Sequence, residues 1–274
     1  AAIDVFAVEP TTDSPLFEMA QVVATPHLGA STQEAQDKAG VSVAEAVADA
    51  LRGDLVLSAV NVDLGPQVND DVKPFLPLAQ ALGRVFVGFS QGLPTTLSIT
   101  VLGRLAEGST RPLALGVLKG ALTGLSDAPV SFVNAPLVAE AHGVTVREEA
   151  VHESDDYQSV IRLTGEVDGK PRSVAGTFMA RKGPVLSEVD EYEIELPITD
   201  HMLLIRNEDV PGVIGRVGTF LGEAGINIAD MVVGRHPGGA AMMGMSLDGE
   251  LSDGDLPALL KLDGVAAARY IRPL

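Results

Sequence analysis

The sequence has no cysteine, no tryptophan and only three tyrosines, and its cations number about half its anions. The missing cysteines exclude disulfides, thiolate nucleophiles and Cys-ligated zinc together, which agrees with a cytoplasmic setting. The charge is lopsided: 19 Lys plus Arg face 37 Asp plus Glu, a formal net charge of −18. Such a surface repels polyphosphate backbones and anionic lipid, so neither nucleic acid nor a membrane is an expected partner. Long apolar runs are missing too. The longest uncharged stretch, Val85 to Gly103, is broken by Ser90, Gln91, Pro94, Thr95, Thr96, Ser98 and Thr100 and is too polar to span a bilayer. His142 and His152 lack metal-ligand spacing with each other or with an acid pair, and no metal is expected. What is present, 274 residues of which 46% are hydrophobic, suffices for two domains with a core each.

The most informative residues lie near the start. Ile3-Asp4-Val5-Phe6 is followed by Glu9-Pro10 and then by Thr25-Pro26-His27-Leu28-Gly29-Ala30-Ser31-Thr32. Imidazole moves protons near neutral pH, and a carboxylate on its other nitrogen fixes the tautomer and raises its pKa, so Glu9 and His27 are a candidate acid–base pair. Ser31-Thr32-Gln33-Glu34 has the form of a capping box and predicts a helix start. The helix carries Val43, Ala44, Val47, Ala48 and Leu51 at helical spacing and ends at Gly53. Gly65-Pro66 marks the first expected domain boundary.

From about Asp70 to Thr199 helical and extended patterns mix: helices over 74–88 and 111–125, a short helix opened by Phe132 to Leu137 and stopped by Gly143, and strands over 96–102, 145–150, 158–167 and 172–179. The tail reads strand (from Met202), helix (Val213, Ile214, Val217, Phe220 and Leu221 on one face, ending at Gly225), two strands, helix, strand. This is the βαββαβ order of a ferredoxin-like unit. Arg235 and His236, in the loop between its second and third strands, read as solvent-exposed.

The Asp-Val, Glu-Pro and Pro-His-Leu-Gly-Ala-Ser-Thr elements in this order resemble the catalytic signature of the NAD-dependent D-2-hydroxyacid dehydrogenases, most closely their phosphoglycerate dehydrogenase branch. The string from Asp209 and Pro211-Gly212 to Gly225-Ile226-Asn227-Ile228 resembles the ACT domain, an amino-acid-sensing module. The resemblance implies an α/β and α+β architecture. Residues 1–65 would be the end of a Rossmann-type NAD-binding and catalytic region, 66–199 an intervening domain that binds substrate or another anion allosterically, and 200–274 a ferredoxin-like ACT domain. His27 would then take the hydroxyl proton of 3-phosphoglycerate with Glu9 behind it. Asp4, His27, Leu28, Gly29 and Ala30 would line the nicotinamide of NAD. Asn207, Asp209 and Asn227 would contact an L-serine effector at the seam of two paired ACT modules in a homo-oligomer. Lys170, Arg172, Arg181 and Lys182 are the candidate anion group of the intervening domain.

No Gly-rich dinucleotide loop opens a helix after a strand here; Gly212-Val213-Ile214-Gly215-Arg216-Val217-Gly218 has the wrong spacing. The chain is therefore expected to be the C-terminal half or so of a longer dehydrogenase and inactive alone. Two other readings stand beside it: an inactive amino-acid-binding regulatory fragment, and another 2-hydroxyacid dehydrogenase, which does not predict the ACT tail.

Overall fold

Two units emerge in the computed structural model of the chain, residues 1–59 and 60–274. The structure describes residues 1–65, 70–126, 128–154, 156–236 and 239–272. Pro66 of the expected Gly65-Pro66 boundary lies outside them, as do Pro237 and Gly238 of the loop after Arg235-His236.

In the first unit, β1 (Ala2–Ile3) pairs in parallel with β2 (Val23–Ala24), which sets Asp4 opposite the Thr25-Pro26-His27 turn. Helix α1 (Gln33–Arg52) starts one residue later than the capping-box reading places it. Gly29–Ser31 is taken up in a 3-10 turn, so Thr32 is the cap and its hydroxyl accepts from Ala35 N at 3.2 Å. Gly53 closes the helix at φ 83°, as expected. Its apolar stripe of Val43, Val47 and Leu51 is exposed.

The second unit opens with a 3-10 turn, Asp70–Phe75, and α2 (Leu76–Ser90). It continues with β3 (Thr96–Gly103), α3 (Arg111–Leu122), α4 (Ala135–Ala141), β4 (Thr145–Val151), β5 (Ser159–Val167), β6 (Lys170–Met179), β7 (Gly183–Val189) and β8 (Tyr192–Pro197). The strands form one six-stranded sheet in the order β4-β3-β5-β6-β7-β8, antiparallel except for β3 with β4. Asp168 (φ 52°) and Gly169 (φ 71°) make the two-residue turn between β5 and β6. Helices α2 and α3 cross at glycine: a Cβ on Gly83 would come 2.1 Å from Val117 O, and one on Gly120 would come 1.9 Å from Gln80 O.

The chain then forms β9 (Met202–Glu208), α5 (Val213–Glu223), β10 (Ile228–His236), β11 (Ala240–Leu247), α6 (Asp255–Leu259) and β12 (Val265–Ile271). The sheet order is β10-β11-β9-β12, the ferredoxin-like arrangement expected from the sequence. Leu203, Ile205, Met243 and Met245 lie under Val213, Val217 and Leu221 of α5. Ile214, expected on that face, is instead exposed.

The opposite face of this sheet is not wet. Met202, Leu204, Met242 and Ile271 belong to one core with Leu78, Leu82, Val85 and Phe86 of α2 and with Ile194 and Leu196 of β8. The two sheets touch closely: a Cβ on Gly234 in β10 would lie 2.7 Å from Glu193 O in β8. Residue 200 therefore marks a change of sheet within one continuous core.

Candidate functional site

The first unit assembles the predicted acid–base pair. Glu9 Oε2 lies 2.7 Å from His27 Nδ1, and Glu9 Oε1 accepts the Phe6 N–H at 2.8 Å. Nδ1 is thus engaged and Nε2 is left to exchange a proton. The bond to Glu9 raises the His27 pKa above the ordinary 6.5, while the Phe6 amide and then His27 lower that of Glu9. His27 adopts a left-handed backbone at φ 59°. Its successors therefore turn their amides onto Asp4: Leu28 N–H donates to Oδ1 and Gly29 N–H to Oδ2, each at 2.7 Å, and the Thr25 hydroxyl also donates to Oδ1. These donors, Thr25 first, hold the Asp4 carboxyl below its usual range. Gly29 is required here, because a Cβ would sit 2.8 Å from Asp4 Oδ2. Ala30 follows in the same turn.

Sequence reasoning placed Asp4 on the cofactor but missed that it also locks the histidine loop. A carboxylate has about four lone-pair sites. Three are taken here, and Oδ2 keeps one acceptor position. The pair is open to solvent, with side chains 53% exposed for His27 and 33% for Glu9. Next to it Phe6 and Phe17, ring centroids 5.5 Å apart, line a cavity of about 370 Å³ with Thr25 and Pro26.

Within a single chain the proposed effector residues are not brought together. Asn207 and Asp209 stand at the N-terminal end of α5, and Asn227 stands beyond its C-terminal end. They are separated by an eleven-residue helix, roughly 16 Å long. Each has an internal partner: Asn207 Nδ2 donates to Glu208 O at 2.7 Å, Asp209 Oδ2 lies 3.2 Å from Arg235 Nε, and Asn227 Nδ2 donates to Asp248 Oδ2 at 2.6 Å. Helix α5 has no side-chain cap at Gly212, which leaves its first amides available. Arg235 and His236 are exposed, as expected, but they end β10 rather than lie in the loop, and His236 Nε2 lies 3.4 Å from Glu191 Oε2.

The candidate anion group separates. Arg181 and Lys182 lie past the far end of β6, a ten-residue strand whose length puts that end roughly 30 Å from Lys170 and roughly 23 Å from Arg172. Lys182 faces Glu195 at 3.7 Å. Lys170 and Arg172 instead meet Arg206 and Arg269 of the second sheet around a small cavity. Nothing in the sequence signals that meeting, because the four residues come from strands of different sheets. A larger cleft of about 650 Å³ is lined by Glu153, Asp156, Glu188, Glu193 and Glu195, and there burial pushes the Tyr157 phenol up to about 12. Among the described residues no group of three or more His, Cys, Asp or Glu could hold a metal, and no helix is long and apolar enough to cross a membrane.

Comparison with known proteins matches residues 71–190 to the D-3-phosphoglycerate dehydrogenase intervening domain and residues 201–264 to the ACT domain. D-3-phosphoglycerate dehydrogenase of Mycobacterium leprae is 45% identical over 83% of this chain and 43% of its own length. The proteins of that name from Methanocaldococcus jannaschii and Synechocystis are 40% identical over 90% of the chain and 37% identical over 99%, matching 47% and 50% of their own lengths. The chain spans about half the length of the curated relatives it matches. It thus belongs with the D-3-phosphoglycerate dehydrogenases, carrying their intervening domain followed by an ACT domain.

Proposed function

We propose that this chain supplies the acid–base half of a cytoplasmic, NAD-dependent oxidation of 3-phosphoglycerate to 3-phosphohydroxypyruvate, together with a serine-responsive module. The observation that carries the reading is the His27–Glu9 contact on a loop pinned by Asp4. Residues 1–65 would serve the reaction, 66–199 form the intervening domain and 200–274 the ACT domain.

His27 Nε2 takes the substrate hydroxyl proton, and Glu9 holds the resulting imidazolium through Nδ1. NAD, when bound, accepts the hydride from the same carbon. The remaining acceptor position on Asp4 Oδ2 suits a carboxamide N–H, so the residues present fit the nicotinamide end of the cofactor. The sequence holds no Gly-rich loop for its pyrophosphate. In an enzyme carrying this chain, His27→Gln lowers kcat by roughly 10²–10⁴-fold, the span of positioned acid–base catalysis. A loss below tenfold removes His27 from the chemistry.

The ACT module is proposed to take L-serine between two copies. Asp209 offers a carboxylate for the ammonium group, the uncapped start of α5 offers amides for the carboxylate, and Asn227 of a second, antiparallel copy completes the site. The separation of Asn207 and Asp209 from Asn227 within one chain supports a paired site, and with it a homo-oligomer. Calorimetric titration with L-serine tests this directly. Saturable heat lost in both Asp209→Ala and Asn227→Ala supports it, and no heat from the unaltered chain ends the regulatory reading.

A further inference from the structure

The six-stranded sheet carries α2 and α3 on one face, in the core, and opens on the other into the cleft of about 650 Å³. That volume lies within the range of about 300–1,000 Å³ common to small-molecule sites. Five carboxylates, those of Glu153, Asp156, Glu188, Glu193 and Glu195, line it against the single guanidinium of Arg162. Glu188 is engaged by Arg162 Nη2 at 2.8 Å, and Glu195 by the Tyr157 hydroxyl at 2.9 Å and by Lys182 at 3.7 Å. Among the described residues Glu153, Asp156 and Glu193 have no ion-pair partner. This negative excess opposes the compact state unless a cation shares the cleft.

A second, independent feature faces the same space. Ser187 lines the cleft and is only 7% exposed, and among the described residues its hydroxyl has no hydrogen-bond partner. A β-bulge sets it there. Leu186 and Glu188 pair with Gly176 and Ala175 of β6 and with Leu196 and Glu193 of β8, while Ser187 between them pairs with neither strand. Leu186 and Val189 belong to the core, so the extra residue puts Ser187 and Glu188 together on the cleft face. Buried hydroxyls are rarely left without a partner, and this one can take its partner from the cleft.

We propose that the cleft binds a linear organic polycation, an aliphatic diamine or polyamine, whose ammonium groups are shared among Glu153, Glu193 and Glu195 and donate to the Ser187 hydroxyl. A metal ion does not fit, because among the described residues no three carboxylates are placed to hold one. The ligand's charge must instead be spread along a chain, to meet acids that come from the β4–β5 connection and from β8. Tyr157, its hydroxyl engaged by Glu195, adds an aromatic ring of the kind that favours ammonium groups and their methylene stems. The cleft shares no residue with His27, Glu9 or the serine contacts, and neither proposed activity depends on it.

The test uses the whole chain at fixed ionic strength, titrated with putrescine, spermidine, L-lysine, magnesium chloride and potassium chloride. Binding is followed by calorimetry and by the melting temperature. Putrescine and spermidine are expected to saturate and to raise the melting temperature, with magnesium and potassium flat and lysine weaker because its carboxylate is repelled. The double variant Glu153→Gln with Glu193→Gln should weaken putrescine roughly tenfold, as two partly exposed ion pairs do together. Ser187→Ala should weaken it roughly threefold to tenfold, about one hydrogen bond. It should do so without lowering the melting temperature of the unliganded chain, whereas replacing a serine with a structural partner would lower it. Glu140→Gln with Glu223→Gln, which removes two exposed acids outside the cleft, should bind putrescine as the unaltered chain does. No saturable putrescine or spermidine binding, an equal response to magnesium or potassium, lysine binding as tight as putrescine, equal weakening by the Glu140 and Glu223 changes, or unchanged affinity in both cleft variants overturns the proposal.

Discussion

At the scale of single residues, the proposed acid–base role rests on how a histidine loop is held rather than on burial. His27 and Glu9 are both open to solvent, so direct hydrogen bonds, not a low dielectric, set their titration. The signs are opposite. A raised His27 pKa adds stability that is full below 6.5 and fades as pH climbs through the folded value. A lowered Glu9 pKa adds stability that is full above 4.5 and fades as pH falls through its folded value. The pair therefore holds best between those limits. An NMR titration of the His27 ring should show a midpoint above 6.5 that moves back toward 6.5 in Glu9→Gln. An identical midpoint in both proteins would mean that the contact does not persist in solution. The pairing of His27 with Glu9 was legible in the sequence because residue type and order announce it. The lock on Asp4 was not, because it depends on the left-handed backbone at His27, which only the folded loop reveals.

At the scale of elements, glycines in helices carry opposite meanings, and only the packing tells them apart. Gly120 in α3 meets the backbone of α2, whereas Gly218 in α5 has nothing within 4 Å of the position a Cβ would take. Gly120→Ala should cost about 2–3 kcal/mol through overpacking, and Gly218→Ala should add about 0.5–1 kcal/mol by restricting the unfolded chain and favouring helix. Urea denaturation at constant m decides both, and a neutral Gly120→Ala would deny the close α2–α3 crossing. Periodicity made most elements readable, including all six of the ACT module. It failed at β7 and β8, where Glu188, Asp190, Glu191, Glu193 and Glu195 mimic a loop. Asp190 and Glu191 form the turn between the two strands, while Glu188, Glu193 and Glu195 stand on the more exposed side of strands whose other residues, Val185, Val189, Ile194 and Leu196, are buried. The start of α1 slipped by one residue because Ser31 and Thr32 are both competent caps, and the preceding 3-10 turn selects the second.

At the scale of the molecule, residues 60–274 hold two sheets and one shared core. The run Met202-Leu203-Leu204-Ile205 already departs from one-faced alternation, and all four side chains are buried, Leu203 and Ile205 under α5 and Met202 and Leu204 against α2 and β8. An ACT sheet with one free face would show polar residues at 202 and 204. It follows that the intervening and ACT domains cannot open independently without exposing a large apolar surface. Leu204→Ala should cost about 2–5 kcal/mol. Hydrogen exchange should then quicken not only in β9 but in the amides of Ile161 and Leu163, which lie in the same core on the other sheet. Acceleration confined to residues beyond 199 would mean instead that the two domains open separately. A ligand bound at the ACT edge could then bias the intervening domain only through the chain that links them. With the shared core intact, any shift of β9 is felt directly by α2, and the packing itself is the route by which an effector bound to one sheet can alter the other.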